Sequence, residues 1–451
     1  MQAPDDQFDV VVSGGGIAGS AAAAGLSQLG YRIAIVEPGI DASRRLAGEL
    51  VHHTGAAALA ELGLLPALSA AEQAEVSGFS VRFGSGDAQP VHLRYSELRP
   101  LQPAFAMEHA LIRDRMLNAA AALPGVTLME GSRISEVAVN CDLRRHKRAT
   151  VRITSTAGCV VLRPRLVVGA DGASSPVSRL TGMTQLRQRV STLFGFLLNR
   201  ASLPEPGFGH VFLGGPGPVL AYAVSKSAVR VMLDVPDATL GPHRLESCRE
   251  SLPALPEPLR SQVAERLEQP GIVGSASYRA SVRQVNVGRL VLVGDAAGCC
   301  HPLTATGLTV CARDALRLRD ALRDTDGDIE RALQLYALRR RGPQRTRMML
   351  AQVLYEVFCG DAPESRLVRN GLRKYWDGDR RRCAKSLSLV STEDGRLSFM
   401  LLELARVTLS GFSTCISRPW RQGGLSPVGS GLLLGLYRLL LRHAGETLRI
   451  T

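Results

Sequence analysis

The sequence predicts an α/β fold: a Rossmann-type βαβ domain, an antiparallel β-sheet inserted into it, and a helical C-terminal region. Three observations carry this expectation. A β-branched run at 8–13 ends in a glycine-rich turn and leads into an alanine-rich helix former at 20–29. From Phe194 to Val235 the pattern is strand-like, broken by the turn formers LPEPG at 203–207 and GGPGP at 214–218. After Leu308 almost every segment is helical in character.

Taken in order, Phe8 to Ser13 (FDVVVS) delivers Gly14-Gly15-Gly16-Ile17-Ala18-Gly19. In Gly14-x-Gly16-x-x-Gly19 the first glycine permits a tight turn, the second lets a pyrophosphate approach the backbone, and the third lets the helix pack closely. The free N–H groups of the helix start then face the phosphates. A second strand, Arg32 to Val36, closes on Glu37, about 20 residues on, where an acidic residue meets a ribose hydroxyl in dinucleotide sites. Alternating residues near 76–93, a helix over 110–123 and strands around 126–139 and 151–153 follow. Leu166 to Ala170 and Leu290 to Val293 are buried strands ending at Asp171-Gly172 and Gly294-Asp295. The expected division is a nucleotide domain over 1–75, 105–189 and 276–345, a substrate domain over 76–104 and 190–275, and a helical domain over 346–451.

Composition narrows the function. The 451 residues are 45% hydrophobic and 21% charged, which excludes disordered and fibrous classes. The net charge of +13 favours an anionic partner, but only 5% of residues are aromatic and no nucleic-acid motif accompanies the charge, so nucleic acid is excluded. Nine cysteines, an odd number without CxxC spacing, and the lack of a secretory signal point to a reduced, cytoplasmic protein. No run of apolar residues is long enough to span a bilayer.

The glycine fingerprint alone does not separate FAD from NAD. The separation comes from Arg289 to Gly307, where a buried strand delivers Asp295, able to accept from a ribityl chain, and a loop opens a second helix near Leu308. Two such helix starts so far apart in the chain fit one long cofactor, FAD.

With these motifs in place the sequence resembles the flavin-dependent monooxygenases, and among them the squalene epoxidases. The resemblance rests on the GxGxxG unit, RRLAGELV at 44–51, ELGL at 61–64, VVGADGASS at 167–175, GPGPVLAYAVSKSAVRV at 215–231, GDAAGCCHPLTATGLTV at 294–310 and LAQVLYEVFC at 350–359. It implies an FAD-binding domain of the GR2/PHBH-like kind. It further implies cofactor contacts from Gly14, Gly16, Ile17, Ala18, Gly19, Glu37, Pro38, Arg45, Leu50, Asp295, Pro302, Gly307 and Leu308. An arginine is also implied on the helix near 113–117; Arg113 is chosen because Leu117 occupies the aligned position one turn away, and the backbone at Arg133 is expected near the adenosine. The implied reaction epoxidises a double bond of a hydrophobic isoprenoid or polyene through a flavin C4a-hydroperoxide, as in secondary metabolism. Oxygen is the co-substrate, and electrons come from NAD(P)H through a separate flavin- or ferredoxin-type reductase. No side-chain nucleophile is needed.

The chain departs from that family at His52, where glutamine is usual, and at Phe79, where tyrosine is usual, so the pocket formed with His301 is expected to be built differently. His301, before Pro302, reads as a loop-shaping residue, Cys299-Cys300 as small linings of a tight loop, and His52-His53 lacks the context of a metal site. The C-terminal region is basic and leucine-rich, with an apolar stretch at 432–441 flanked by Arg418, Arg421 and Arg442. It reads as a pocket cap or as a peripheral contact on the inner face of the membrane. Competing activities are an aromatic or quinolone hydroxylase, a geranylgeranyl-reductase-like enzyme and a flavin-bound scaffold protein. Trp376 and Trp420 are too far apart for the paired-tryptophan motif of flavin halogenases.

Overall fold

A computed structural model describes residues 7–39, 46–68, 72–139, 148–183, 185–199, 203–237, 244–360 and 362–416. The central strand Val10–Ser13 is fully buried and pairs in parallel with Ile33–Glu37 on one side and Leu166–Gly169 on the other. Strand Val126–Glu130 extends the first side, and Leu290–Leu292 with the antiparallel edge Asn286–Val287 extends the second. The order therefore reverses at the first strand, and the carboxyl ends of the parallel strands open a crevice there, the standard ligand position in such sheets. Runs of Val, Ile and Leu buried on both faces account for the parallel strands.

The second large sheet has eight strands, in the order Gly298–Cys299, Val273–Val282, Gln185–Asn199, Ala228–Pro236, Val219–Ala223, Phe208–Leu213, Gly78–Phe83 and Val91–Arg94. Its pairs are antiparallel except one: Phe208–Leu213 runs parallel to Gly78–Phe83. The sheet is thus mixed, because Gly78–Phe83 enters from a remote part of the chain rather than through a hairpin. Gln185–Asn199 and Val273–Val282 run through the expected boundaries at 189/190 and 275/276.

Among the described residues the last part of the chain forms helices Gly307–Arg323, Ile329–Cys359, Pro363–Trp376, Arg380–Val390 and Leu397–Ile416. The Ile329–Cys359 helix serves two cores. Its start, with Ile329, Leu333 and Tyr336, packs with the nucleotide domain, and its end, with Met349, Val353 and Phe358, packs with Leu93, Val211 and Met232 of the second sheet. The other face of that sheet packs Phe196, Phe212 and Leu233 against Leu255, Leu259 and Val263. No described helix is long and apolar enough to cross a membrane. Arg45 and the segment 417–451, including the stretch at 432–441, lie outside the described residues.

Candidate active site

The glycine turn meets the requirements of its sequence one residue at a time. Gly14 has φ +94°, and a Cβ there would meet the Ala170 carbonyl oxygen at 2.9 Å. A Cβ on Gly19 would lie 1.8 Å from the Gly14 carbonyl oxygen, so only glycine lets the helix Ile17–Ser27 start this close to the strand. Gly16 differs: a Cβ would have nothing within 4 Å, and this open space adjoins the helix start. Glu37, buried, accepts from the Gly15 N–H at 2.6 Å, from the Gly39 N–H at 3.1 Å and from Arg113 Nη2 at 3.2 Å. Leu117, one turn on from Arg113, packs on Gly15, where a Cβ would be 2.9 Å from its Cδ1. Helix His109–Ala121 thus brings Arg113 to the strand-end carboxylate. Ser132 N–H donates to the Glu37 carbonyl at 3.1 Å and sets the neighbouring Arg133 beside the same strand end, its side chain exposed like Pro38.

The second motif meets the first. Gly294 has φ +58°, and a Cβ on it would approach Ala18 Cβ to 2.8 Å, so the loop after Leu290–Leu292 abuts the start of the Ile17–Ser27 helix. Asp295 lines a cavity there together with Leu50, Cys300, Pro302, Gly307 and Arg347. Burial pushes the Asp295 carboxyl above its ordinary range, while Arg347 and Arg340 pull it back. Helix Gly307–Arg323 begins beside it without a side-chain cap, and a Cβ on Gly307 would meet nothing within 4 Å. Its first N–H groups have no partner within the helix. Leu308 itself is buried in the nucleotide-domain core, so it offers backbone rather than side chain. Ile17 and Ala18 are likewise buried at the first helix start.

Pro302–Thr304 is a short turn capped by His301. His301 Nδ1 accepts from the Leu303 N–H at 3.2 Å, which leaves the ring proton on Nε2, 3.0 Å from Ser191 Oγ and 3.4 Å from Asp234 Oδ2. Tyr355 packs on the ring with centroids 4.2 Å apart. His301 lines the same cavity as Asp295. Cys299, also in its wall, is buried with its thiol pushed up to about 12, so it stays protonated and unreactive.

Phe79, Val211 and Leu303 separate this cavity from a second one whose walls are almost wholly apolar. The second lies between the eight-stranded sheet and the C-terminal helices, with Val353, Leu372, Trp376 and Met400 in its lining. His52 lines neither cavity. It is fully buried behind Phe79, ring centroids 5.8 Å apart, with Nδ1 2.5 Å from the Tyr95 hydroxyl and Nε2 2.8 Å from the Thr304 carbonyl. Burial lowers its pKa to about 4. The neutral ring therefore donates from Nε2 to Thr304 and accepts at Nδ1 from Tyr95, whose own pKa burial raises.

Tyr95 is a residue the sequence reading missed, because nothing local marks a tyrosine 43 positions away as the partner of His52. Glu49 is another. Arg230 grips it at 2.9 and 2.7 Å, and Tyr222 donates to it at 3.2 Å, joining the RLAGEL segment to the second sheet. Asp171, beside Gly14, takes Ser13 Oγ at 3.3 Å and the Val177 N–H at 2.9 Å and keeps its buried Oδ1 without a partner. The open spaces at Gly16 and Gly307, the two uncapped helix starts and the carboxylates Glu37 and Asp295, joined where Gly294 abuts Ala18, fit an extended dinucleotide such as FAD. Among the described residues no group of three His, Cys, Asp or Glu side chains could hold a metal ion.

Comparison with known proteins agrees with this geometry. The squalene epoxidase family profile matches residues 163–422. The squalene epoxidase of Aspergillus fumigatus is 26% identical over 428 residues, covering 91% of this chain and 86% of that protein. The squalene monooxygenase of Mus musculus is 28% identical over 362 residues, 78% of this chain and 62% of that protein. Among solved structures, PqsL of P. aeruginosa in complex with 2-aminobenzoylacetate has a TM-score of 0.66 at 22% identity, covering 78% of this chain and 97% of that one. The p-nitrophenol 4-monooxygenase PnpA of Pseudomonas putida has 0.69 at 20% identity, covering 88% and 98%.

Proposed function

The chain belongs to the squalene epoxidase family and is an FAD-dependent monooxygenase, and on that premise we propose that it epoxidises a carbon–carbon double bond of a hydrophobic isoprenoid. The observation that carries the reading is the contact of Gly294 with Ala18, which joins two distant motifs into one crevice that is divided from an apolar cavity only by Phe79, Val211 and Leu303. Bound FAD supplies the activation of O2, one oxygen atom passing to the alkene and the other leaving as water.

The chain's own residues bind, orient and dry the site. We assign Gly14, Gly16 and Gly19 with the N–H groups of Ile17 and Ala18 to the pyrophosphate, and Glu37 and Arg113, with Pro38 and the Arg133 backbone, to the adenosine end. Asp295 accepts from the polar chain of the cofactor, and the Gly307 and Leu308 N–H groups put positive potential beside its ring. Pro302 and Leu50 shape the wall; Arg45 is assigned to the same cofactor from the sequence alone. The apolar lining keeps water from the reacting carbon atoms and selects an alkene over a phenolate. At about 110 Å³ the apolar cavity is smaller than a typical ligand pocket, so an isoprenoid enters by displacing flexible Leu and Met side chains. Electrons come from NAD(P)H through a separate reductase, a reading supported by the single glycine fingerprint. The basic, leucine-rich end of the chain offers peripheral membrane contact for such a substrate.

Incubation of the FAD-loaded protein with a reductase, NADPH, ¹⁸O2 and polyprenyl alkenes tests this. A product heavier by one labelled oxygen is expected. A saturated product formed without oxygen, or turnover with phenols alone, overturns the reading.

A further inference from the structure

A third cavity, of about 340 Å³, lies between strand Val273–Val282, the loop after it and the middle of helix Ile329–Cys359. Arg279, Arg283, Arg340, Arg341 and Arg345 line it, and among the described residues no Asp or Glu does. Arg340 is paired with Asp314 and Arg279 donates to Gln188, so the like charges that an anion in the hollow would offset are those of Arg283, Arg341 and Arg345. Arg340 is 3% exposed; its Nε donates to Asp314 at 2.8 Å and its Nη1 to the Ala297 carbonyl at 3.1 Å, while its buried Nη2 has no hydrogen-bond partner. The buried Nε of Arg345 also has none. Such atoms are costly unless water or a ligand satisfies them. Burial and the like charge of Arg341 hold Arg345 below its ordinary range.

We propose that this cavity binds the phosphate or diphosphate group of a small molecule. Planar guanidinium forks match phosphate oxygens two at a time. The volume lies within the usual range for small-ligand pockets. A buried group such as Arg340 is reached by a compact anion and not by the flat acidic face of a protein. The site is separate from the flavin crevice, although the 294–300 loop serves both: it gives Ala297 to this cavity and Asp295 to the other. The inference does not depend on the epoxidation. Both a pyridine nucleotide and a prenyl diphosphate carry the required chemistry.

Calorimetric titration of FAD-loaded protein with inorganic pyrophosphate, NADPH and geranyl diphosphate tests the proposal, since the flavin already fills the other phosphate site. Pyrophosphate is expected to bind, and the Arg283→Gln/Arg345→Gln double variant to bind it at least about tenfold more weakly with flavin content unchanged. Tighter binding of NADPH or of geranyl diphosphate than of pyrophosphate supports the site and identifies its source. Should the double variant lose flavin, Arg283→Gln alone, on an exposed side chain, carries the comparison. Equal pyrophosphate affinity of variant and parent, or no binding at millimolar pyrophosphate, overturns the proposal.

Discussion

Gly16 and Gly19 stand three residues apart in one turn yet answer to different neighbours. A methyl on Gly19 collides with the Gly14 carbonyl, whereas a methyl on Gly16 enters empty space assigned to the cofactor. Gly19→Ala is therefore expected to lower the melting temperature of the apoprotein. Gly16→Ala should leave it unchanged and weaken FAD binding by roughly 1–3 kcal/mol, read by flavin fluorescence titration. If both variants lose stability equally, the assignment of Gly16 fails. His52 offers a pH test. Its folded pKa of about 4 lies below the 6.5 of the unfolded chain, so the unfolded state takes up more protons between those values. The neutral ring's contribution is full above pH 6.5 and is lost as the pH falls toward 4, on the order of 2–3 kcal/mol. His52→Gln can keep both hydrogen bonds without titrating. Urea unfolding at pH 7.5 and pH 5 should show a smaller drop for that variant than for the parent.

Secondary elements carry the next set of consequences. The Glu49–Arg230 pair fastens strand Ala228–Pro236 to the 46–49 segment, and both side chains are largely withdrawn from water. Arg230→Ala strands a buried carboxylate and should cost about 3–5 kcal/mol in denaturant unfolding, whereas Glu49→Met/Arg230→Met together should cost less than the single change. Leu354, on the Ile329–Cys359 helix, lines the apolar cavity. Leu354→Trp is expected to lower turnover of long alkenes by roughly tenfold or more with flavin content intact, measured by product formation per bound flavin. The βαβ unit, the buried strands ending in glycine and the late helices were legible in the chain, because hydrophobic runs and turn residues encode local conformation. Partners across the fold were not. Tyr95 for His52, Arg230 for Glu49 and the parallel pairing of Phe208–Leu213 with Gly78–Phe83 depend on which remote segments meet, and no periodicity reports that. Helical spacing reports that Arg113 and Leu117 share a face, whereas the meeting of Arg113 with Glu37 is another such long-range pairing.

At the scale of the whole molecule, residues from both halves of the chain build one crevice, so the cofactor is expected to act as a structural bridge. A ligand at about 100 times its dissociation constant adds about 2.7 kcal/mol to folding. The melting temperature should therefore rise with FAD concentration, and a scan showing no dependence on FAD argues against the crevice as its site. The Ile329–Cys359 helix has a further effect. Its early turns are embedded among the nucleotide-domain side chains, Tyr336 donating to the Leu292 carbonyl at 2.9 Å, and its late turns are embedded under the second sheet. Neither body can come apart while the other stays whole without tearing this common axle in two. Heat should consequently melt them together, and a protease should find few half-opened forms to cut.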